Sequence, residues 1–509
     1  MNPPAERLER IEAWGMSSAS VSYLYRPTTF SGILDVLETA RSYGLPVGVM
    51  GGGNSYGDAF QNAEGVLLDL SRMNRILSFD PHTGVMRCEA GLTIRDLWRH
   101  VIDDGWWPPV VSGTSHVTVG GALSANIHGK NNYHAGPIGD HVKRFDILLA
   151  SGETRTCSRS ENSEIFYAGI GGFGLLGVVT AVELQLVRIF SGLLEVQAFS
   201  VADWHEAFAT FDANRQADYI VGWIDCLKAG RGAGRGLIHA ANYRKQGDDP
   251  HPEESLNLRA QEPSDTVVGW LPRSQMYKVI RRFMSARRMA LINAAKFKAG
   301  KREHEIRKMQ PVAEFNFLLD SAPNWKWAYK PGGLIQYQPF VPKENARRVF
   351  DEITTLSRDR RHPPYLGVMK RHRADPFLLS HAVDGYSLAL DYPIGRSRES
   401  LWDLCHAMDE IVLNAGGRFY FAKDSTLRPE AVREFLGEGT VQQFLGLKRR
   451  LDPENLFQTE LSKRLFGRLR SRLSRQKAEP QDDTRLLRPF WAKSPTATTE
   501  SPANDVTSI

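Results

Sequence analysis

Cysteine is scarce in this sequence. Cys88, Cys157, Cys226 and Cys405 are widely spaced and form no C-x-x-C pair, which suits a reducing compartment and argues against a disulfide framework or a structural zinc site. No stretch approaches the 18 or so uninterrupted apolar residues of a membrane span. The best candidate, "GFGLLGVVTAVELQLV", is glycine-rich, carries Glu183 and reads as a buried turn and strand. The N-terminus has no basic segment followed by an apolar one, so no signal peptide is expected. The nucleotide-binding motifs are missing too. The loop "GVMGGGNSYGDAF" ends in Gly57-Asp58 where a Walker loop needs Gly-Lys-Ser/Thr. Its glycines do not follow the G-x-G-x-x-G order, and a strand, "VLLDLS", comes next instead of a helix. His116, His128, His134 and His141 lie close in sequence but include no helical H-x-x-x-H pair, so no metal site is expected.

The chain has 509 residues, 42% of them hydrophobic and 24% charged, enough for two cores in a globular protein. The periodicity predicts an α+β protein. A helix over 31–45 leads into the strand "PVGVM" and then the glycine loop; hairpins turn at Pro81–Gly84 and at Ser151-Gly152-Glu153; a helix capped by Thr93 lies between them. A long polar stretch, "PPVVSGTSHVTVGGALSANIHGKNNYHAGPIGDHV", separates that helix from the second hairpin. The glycine loop can be read either as an anion cradle or as a tight turn between strands.

The net charge of +6 is concentrated in two segments. Between Leu271 and Gln310 lie twelve Lys and Arg residues opposed only by Glu303 and Glu305, interleaved with Met276, Tyr277, Val279, Ile280, Phe283, Met284, Met289, Leu291, Ile292 and Phe297. Near the end, Leu461, Leu465, Leu469 and Leu473 recur every four residues among basic ones. Both patterns suit an anionic membrane surface, or alternatively a solvated face on a packed helix. No nucleic-acid reader motif accompanies them, and no nucleic acid is expected. The composition after Ala478 predicts a disordered tail over 478–509.

The ordered series "PVGVMGGGNSYGD", "LLDLS", "GTSHVTVGGALSANIHGKN", "DILLASGE", "GGFGLLGVVTAVELQL", "QYQ" and "AKDS" resembles the vanillyl-alcohol-oxidase (PCMH-type) flavoproteins, and within them the oxidases of polyprenyl-phosphoryl sugars. The resemblance implies a two-subdomain FAD-binding domain over 14–190, an α+β substrate (cap) domain over 191–410 and a segment over 411–460 that completes the flavin site; the basic amphipathic segment over 461–477 is read from its leucine spacing, and the tail beyond Leu465 exceeds the family's usual end. FAD would contact Gly51, Gly52, Gly53, Asn54, Ser55, Tyr56 and Gly57 in the first loop. The second loop would contribute Gly113, Thr114, Thr118, Gly120, Gly121, Ala125, His128 and Gly129, with Gly172, Gly174 and Val178 or its neighbours closing over the adenine. Asn54 stands where many members carry the histidine that bonds covalently to the flavin, so FAD is expected to be held non-covalently.

The resemblance also assigns roles. Lys423 would place positive charge beside the flavin; His128 would relay protons; Tyr420 and Tyr56 would flank the ring. Gln336, Gln338, Lys370, Ser387 and Lys130 would hold substrate. Actinobacterial members carry a cysteine where this chain has Ala389. The implied reaction is oxidation of a secondary hydroxyl, C2′ of a polyprenyl-phosphoryl-β-D-ribose, to a keto sugar. A separate NAD(P)H-dependent short-chain reductase would complete the epimerisation. The alternatives are a soluble alditol or aldonolactone oxidase and a flavin-dependent reductase of a lipid C=C bond. The expected location is the cytoplasm, with peripheral contact at the inner face of the membrane.

Overall fold

Thr29 starts the first αβ unit. Its hydroxyl accepts from the Gly32 N–H and caps the helix Phe30–Ser42, which buries Ile33, Val36, Leu37 and Ala40. Gly44, at φ 65°, turns the chain into the strand Val47–Met50. That strand pairs in parallel with Val66–Asp69, so the glycine loop is the connection between two buried parallel strands. The sheet is completed by Ala19–Tyr25 and Leu8–Glu12, so it begins before the expected boundary at residue 14. The computed structural model describes residues 3–263, 266–267, 271–395 and 397–467. Leu469, Leu473, most of the segment 461–477 and the tail 478–509 lie outside them.

The second sheet holds both expected hairpins. Ile76–Asp80 pairs with Val85–Glu89, Val142–Leu148 pairs with Thr154–Ser158, and Val178–Gln185 joins the two hairpins down the middle. Thr93 caps the helix Ile94–Val101 as expected. The third sheet has nine strands among the described residues, in the order Arg307–Pro311, Leu193–Val201, Gly236–Tyr243, Tyr219–Ile224, Leu366–His372, Gly385–Pro393, Pro339–Pro342, Arg418–Phe419, with Leu334–Tyr337 also on Gly385–Pro393. Side chains alternate across a strand. One face of this sheet therefore presents Gln336 and Gln338, Val368 and Lys370, and Ala389 and Asp391 in adjacent strands.

The C-terminal segment returns to the first sheet. Val47 N–H donates to Leu456 O at 2.7 Å, and Gln458 N–H donates to Val47 O at 2.9 Å. Lys448, buried, donates to Asp452 at 2.8 Å, to Leu175 O at 3.0 Å and to Phe457 O at 2.8 Å. Asp452 in turn accepts from the Leu456 and Phe457 N–H groups. Leu461 and Leu465 are buried on the helix Glu460–Phe466. Their apolar side therefore packs into the core, which is the packed-helix alternative at these two positions. Asp452→Ala leaves the Lys448 charge and two N–H groups without their acceptor. A loss of about 3–5 kcal/mol is expected, read as a lower urea midpoint.

Candidate active site

The two glycine-rich loops and the inner face of the nine-stranded sheet enclose a cavity of about 590 Å³. Gly51, Gly52, Gly53, Asn54, Ser55 and Tyr56 line it from the first loop. Gly113, Thr114, Thr118, Gly120, Gly121, Ala125, His128, Gly129 and Lys130 line it from the second. Gly174, Gln336, Gln338, Lys370, Tyr420 and Lys423 also lie on its wall.

Four expected residues stand elsewhere. A Cβ on Gly57 would sit 2.0 Å from Asp424 O, and one on Gly172 would sit 2.4 Å from Ala168 O. Both glycines serve close backbone packing, not the cavity. Val178 is buried in its strand, and its neighbours Gly177 and Val179 line the cavity instead. Ser387 lies behind the wall, bonded to Gln338 and His372. Among the expected cradle donors, Tyr56 N–H is taken by Ala422 O at 3.0 Å and Gly120 N–H by Ala90 O at 2.8 Å.

What remains fits a pyrophosphate. Among the described residues, the successive N–H groups of Gly51, Gly52, Gly53, Asn54 and Ser55 have no protein acceptor. Five consecutive free donors on a cavity wall form an anion-binding concavity. The loops also meet closely: a Cβ on Gly51 would lie 2.2 Å from the Thr118 hydroxyl, and one on Gly52 would lie 2.5 Å from His116 O. Asn54 ties them together by donating to Gly52 O and His116 O at 3.0 Å each.

Cations outnumber carboxylates here. Lys130, Lys296, Lys370 and Lys423 face the cavity, with Asp391 as the one carboxylate in its lining. Burial lowers Lys423 to about 7, Lys130 to about 7 and Lys370 to about 8. Lys130 donates to Phe315 O and Asn316 O and lies over the Phe315 ring. Lys423 Nζ sits 3.8 Å from the centre of the Tyr56 ring. Asp391, fully buried and raised by burial to about 7, accepts from Gln336 Nε2 at 2.5 Å. Its other oxygen, Oδ2, has no hydrogen-bond partner among the described residues. Burial also raises Tyr56 and Tyr420, so both are neutral phenols at ordinary pH.

His128 belongs to a buried neutral network. Gln338 Nε2 donates to its Nε2 at 3.0 Å, which leaves the ring proton on Nδ1, facing His381 Nε2 at 3.1 Å. Gln338 also donates to Ser387 Oγ at 3.2 Å; the Ser387 hydroxyl then donates to His372 Nε2 at 2.7 Å, and His372 Nδ1–H donates to Asn132 Oδ1 at 3.0 Å. Burial depresses all three histidines, with His381 at about 3. His128 thus has both ring nitrogens engaged by protein. His134 and His141 bond backbone carbonyls outside the cavity.

Sequence reasoning missed Asp391, His372 and His381. Asp391 follows Ser387 and Ala389 at strand period, a signal that was present. The two histidines sit in no motif, and only the fold brings them beside His128.

The fold and the site define the class: the protein is an FAD-dependent oxidoreductase acting on CH–OH groups. The FAD binding domain family matches residues 21–158. The chain is 27% identical over 463 residues to decaprenylphosphoryl-β-D-ribose oxidase of Mycolicibacterium smegmatis, covering 90% of this chain and 97% of that protein. L-Gulonolactone oxidase of Mus musculus is 32% identical over 166 residues, 33% of this chain and 37% of that one. D-Arabinono-1,4-lactone oxidase of Yarrowia lipolytica is 27% identical over 192 residues, 37% and 36% of the two chains.

The cavity wall carries two histidines, His128 and His239. The ring nitrogens of His128 are engaged, and an amide such as Asn54 has no comparable nucleophilic nitrogen. Acid precipitation of the yellow protein is therefore expected to release the flavin into the supernatant; colour retained in the pellet would show a covalent bond.

Proposed function

We propose that the protein oxidises a secondary hydroxyl of a glycosyl carrier, C2′ of a polyprenyl-phosphoryl-β-D-ribose, to a keto sugar. The observation that carries this reading is the cation excess on the cavity wall. Buried lysines facing one carboxylate call for anions, and the glycine loop with its free N–H donors accounts for the pyrophosphate of FAD alone. Lys130 and Lys370 remain for a second anion, the substrate phosphate. Gln336, held by Asp391, and Gln338, held by His128, present amides to sugar hydroxyls. The relative named for this substrate matches through the cap domain, where Lys370 and both glutamines lie. The lactone oxidases match about a third of the chain.

Bound FAD would accept the hydride from the carbinol carbon. Protonated Lys423 would supply positive charge to that centre as negative charge develops, and His128 Nε2 would take the hydroxyl proton once Gln338 Nε2 turns from it to a sugar hydroxyl. A keto-sugar product calls for a separate NAD(P)H-dependent reductase to complete an epimerisation.

Mixing the anaerobic holoenzyme with polyprenyl-phosphoryl ribose is expected to bleach the visible flavin band. Free pentoses, alditols and aldonolactones are expected to leave it unchanged. Bleaching by those soluble sugars, or by NADPH alone, would overturn the assignment. Lys370→Met should raise the substrate concentration needed for half-maximal bleaching at least about tenfold, the cost of losing a buried charge–phosphate contact, with the yellow colour retained.

The pH profile tests the Lys423 role. If the charged form is required, the bleaching rate falls as pH rises through about 7. The anionic form of Asp391 favours the charged lysine, so Asp391→Asn should move this limb to lower pH. A rate that rises through the same range would assign Lys423 as a base instead.

A further inference from the structure

The rim of the cavity continues into a surface that no step of the reaction uses. The helix Ala286–Gly300 turns Asn293 and Phe297 inward and sets Arg287, Arg288, Leu291, Ile292, Ala294, Ala295, Lys298 and Ala299 outward. Leu291 is 73% exposed and Ile292 39%. A helix face turned to water carries charges of both signs and few large apolar groups, and this one does neither. No acidic residue occurs from 266 to 302. Among the described residues no carboxylate pairs with Arg281, Arg282, Arg287, Arg288 or Lys298.

The neighbouring helix Met276–Arg281 and the turn after it repeat the pattern, with Val279 and Phe283 exposed between Lys278, Arg281 and Arg282. Of the twelve large apolar side chains exposed among the described residues, seven fall between Val279 and Leu318. The face joins the cavity directly. Lys296 and Leu318 line the cavity, Ile292 lies one turn before Lys296, and Leu318 is 53% exposed.

We infer that this face docks the protein on an anionic lipid bilayer, with the apolar side chains in the headgroup–acyl boundary and the guanidinium groups among lipid phosphates. An apolar stripe interleaved with unpaired cations matches that interface. Its place at the cavity rim lets a lipid-linked sugar phosphate enter while its tail stays in the membrane. The location of the face stands on the exposed residues alone; its purpose rests on the substrate reading above.

The test uses the holoenzyme and substrate-free vesicles, so it is independent of turnover. Co-sedimentation is expected with vesicles of equimolar phosphatidylglycerol and phosphatidylcholine, and not with phosphatidylcholine alone. Arg287→Glu/Arg288→Glu and Leu291→Glu/Ile292→Glu, all at exposed positions and checked for folding by retained flavin colour, should each weaken vesicle binding at least about tenfold. Absence of vesicle binding, or unchanged binding in either variant, would overturn the inference, since the attachment would then lie elsewhere. Tighter binding to an oligonucleotide than to the vesicles would overturn it too. An enzyme bleached by polyprenyl-phosphoryl ribose but indifferent to vesicles would lose this surface and keep the substrate reading. The converse would keep the surface alone.

Discussion

The cavity depends on the meeting of the glycine loop with the segment Tyr420–Ser425, which arrives from more than 360 residues further along the chain. Arg464 clamps them, with Nε and Nη2 on Asp58 at 2.9 and 2.8 Å and Nη2 beside Asp424 at 2.9 Å. The contact is close enough that Gly57 has no room for a side chain against Asp424 O. Tyr56 N–H donates to Ala422 O, one residue before Lys423. This one seam therefore sets where the lysine stands relative to the free N–H groups of Gly51 to Ser55. A paired charge and backbone bonds on both sides of a steric stop make such a seam stiff, as electrostatic preorganisation requires.

Behind the seam, electrostatics follows from burial. Burial brings Lys130 and Lys423 down to about 7 and Lys370 down to about 8. Small changes in the surroundings then decide whether each lysine carries charge. Asp391 titrates in the same range, and Gln336 links it to Tyr56 at 3.4 Å. The neutral histidine network on the other side adds direction without adding charge. Ala389 leaves that part of the wall apolar where a thiol stands in the actinobacterial pattern, and Ser387, one side chain further back, feeds the network rather than the cavity.

Several features were legible because they are local. Helix Phe30–Ser42 announces itself by its Thr cap and terminal glycine, and helix Ile94–Val101 by its Thr cap and the 3.6-residue spacing of its buried residues. The two hairpins were marked by turn residues. The free N–H groups of Gly51 to Ser55 lie where the run of bare backbone suggested. Gln336 and Gln338 share a face because strand period is two. The basic segment between Leu271 and Gln310 was visible as composition, although only the structure shows that Val279, Phe283, Leu291 and Ile292 stand outside the core while Phe297 packs into it. The comparable stripe at Leu461 and Leu465 looked the same in sequence and turned out to be buried.

The sequence by itself determined the local elements, the glycine loops, the FAD-binding class and the motifs that carry Lys423 and His128, because backbone freedom, capping and periodicity act over a few residues. Tertiary structure alone decided which residues face the cavity. It turned Gly57 and Gly172 to packing, took up the Tyr56 N–H, moved Ser387 behind the wall and gathered His372, His381 and Asp391 around the reactive groups. Those outcomes depend on contacts between segments far apart in the chain, where a difference of one side chain's depth separates a wall residue from its support, and no local pattern encodes that depth.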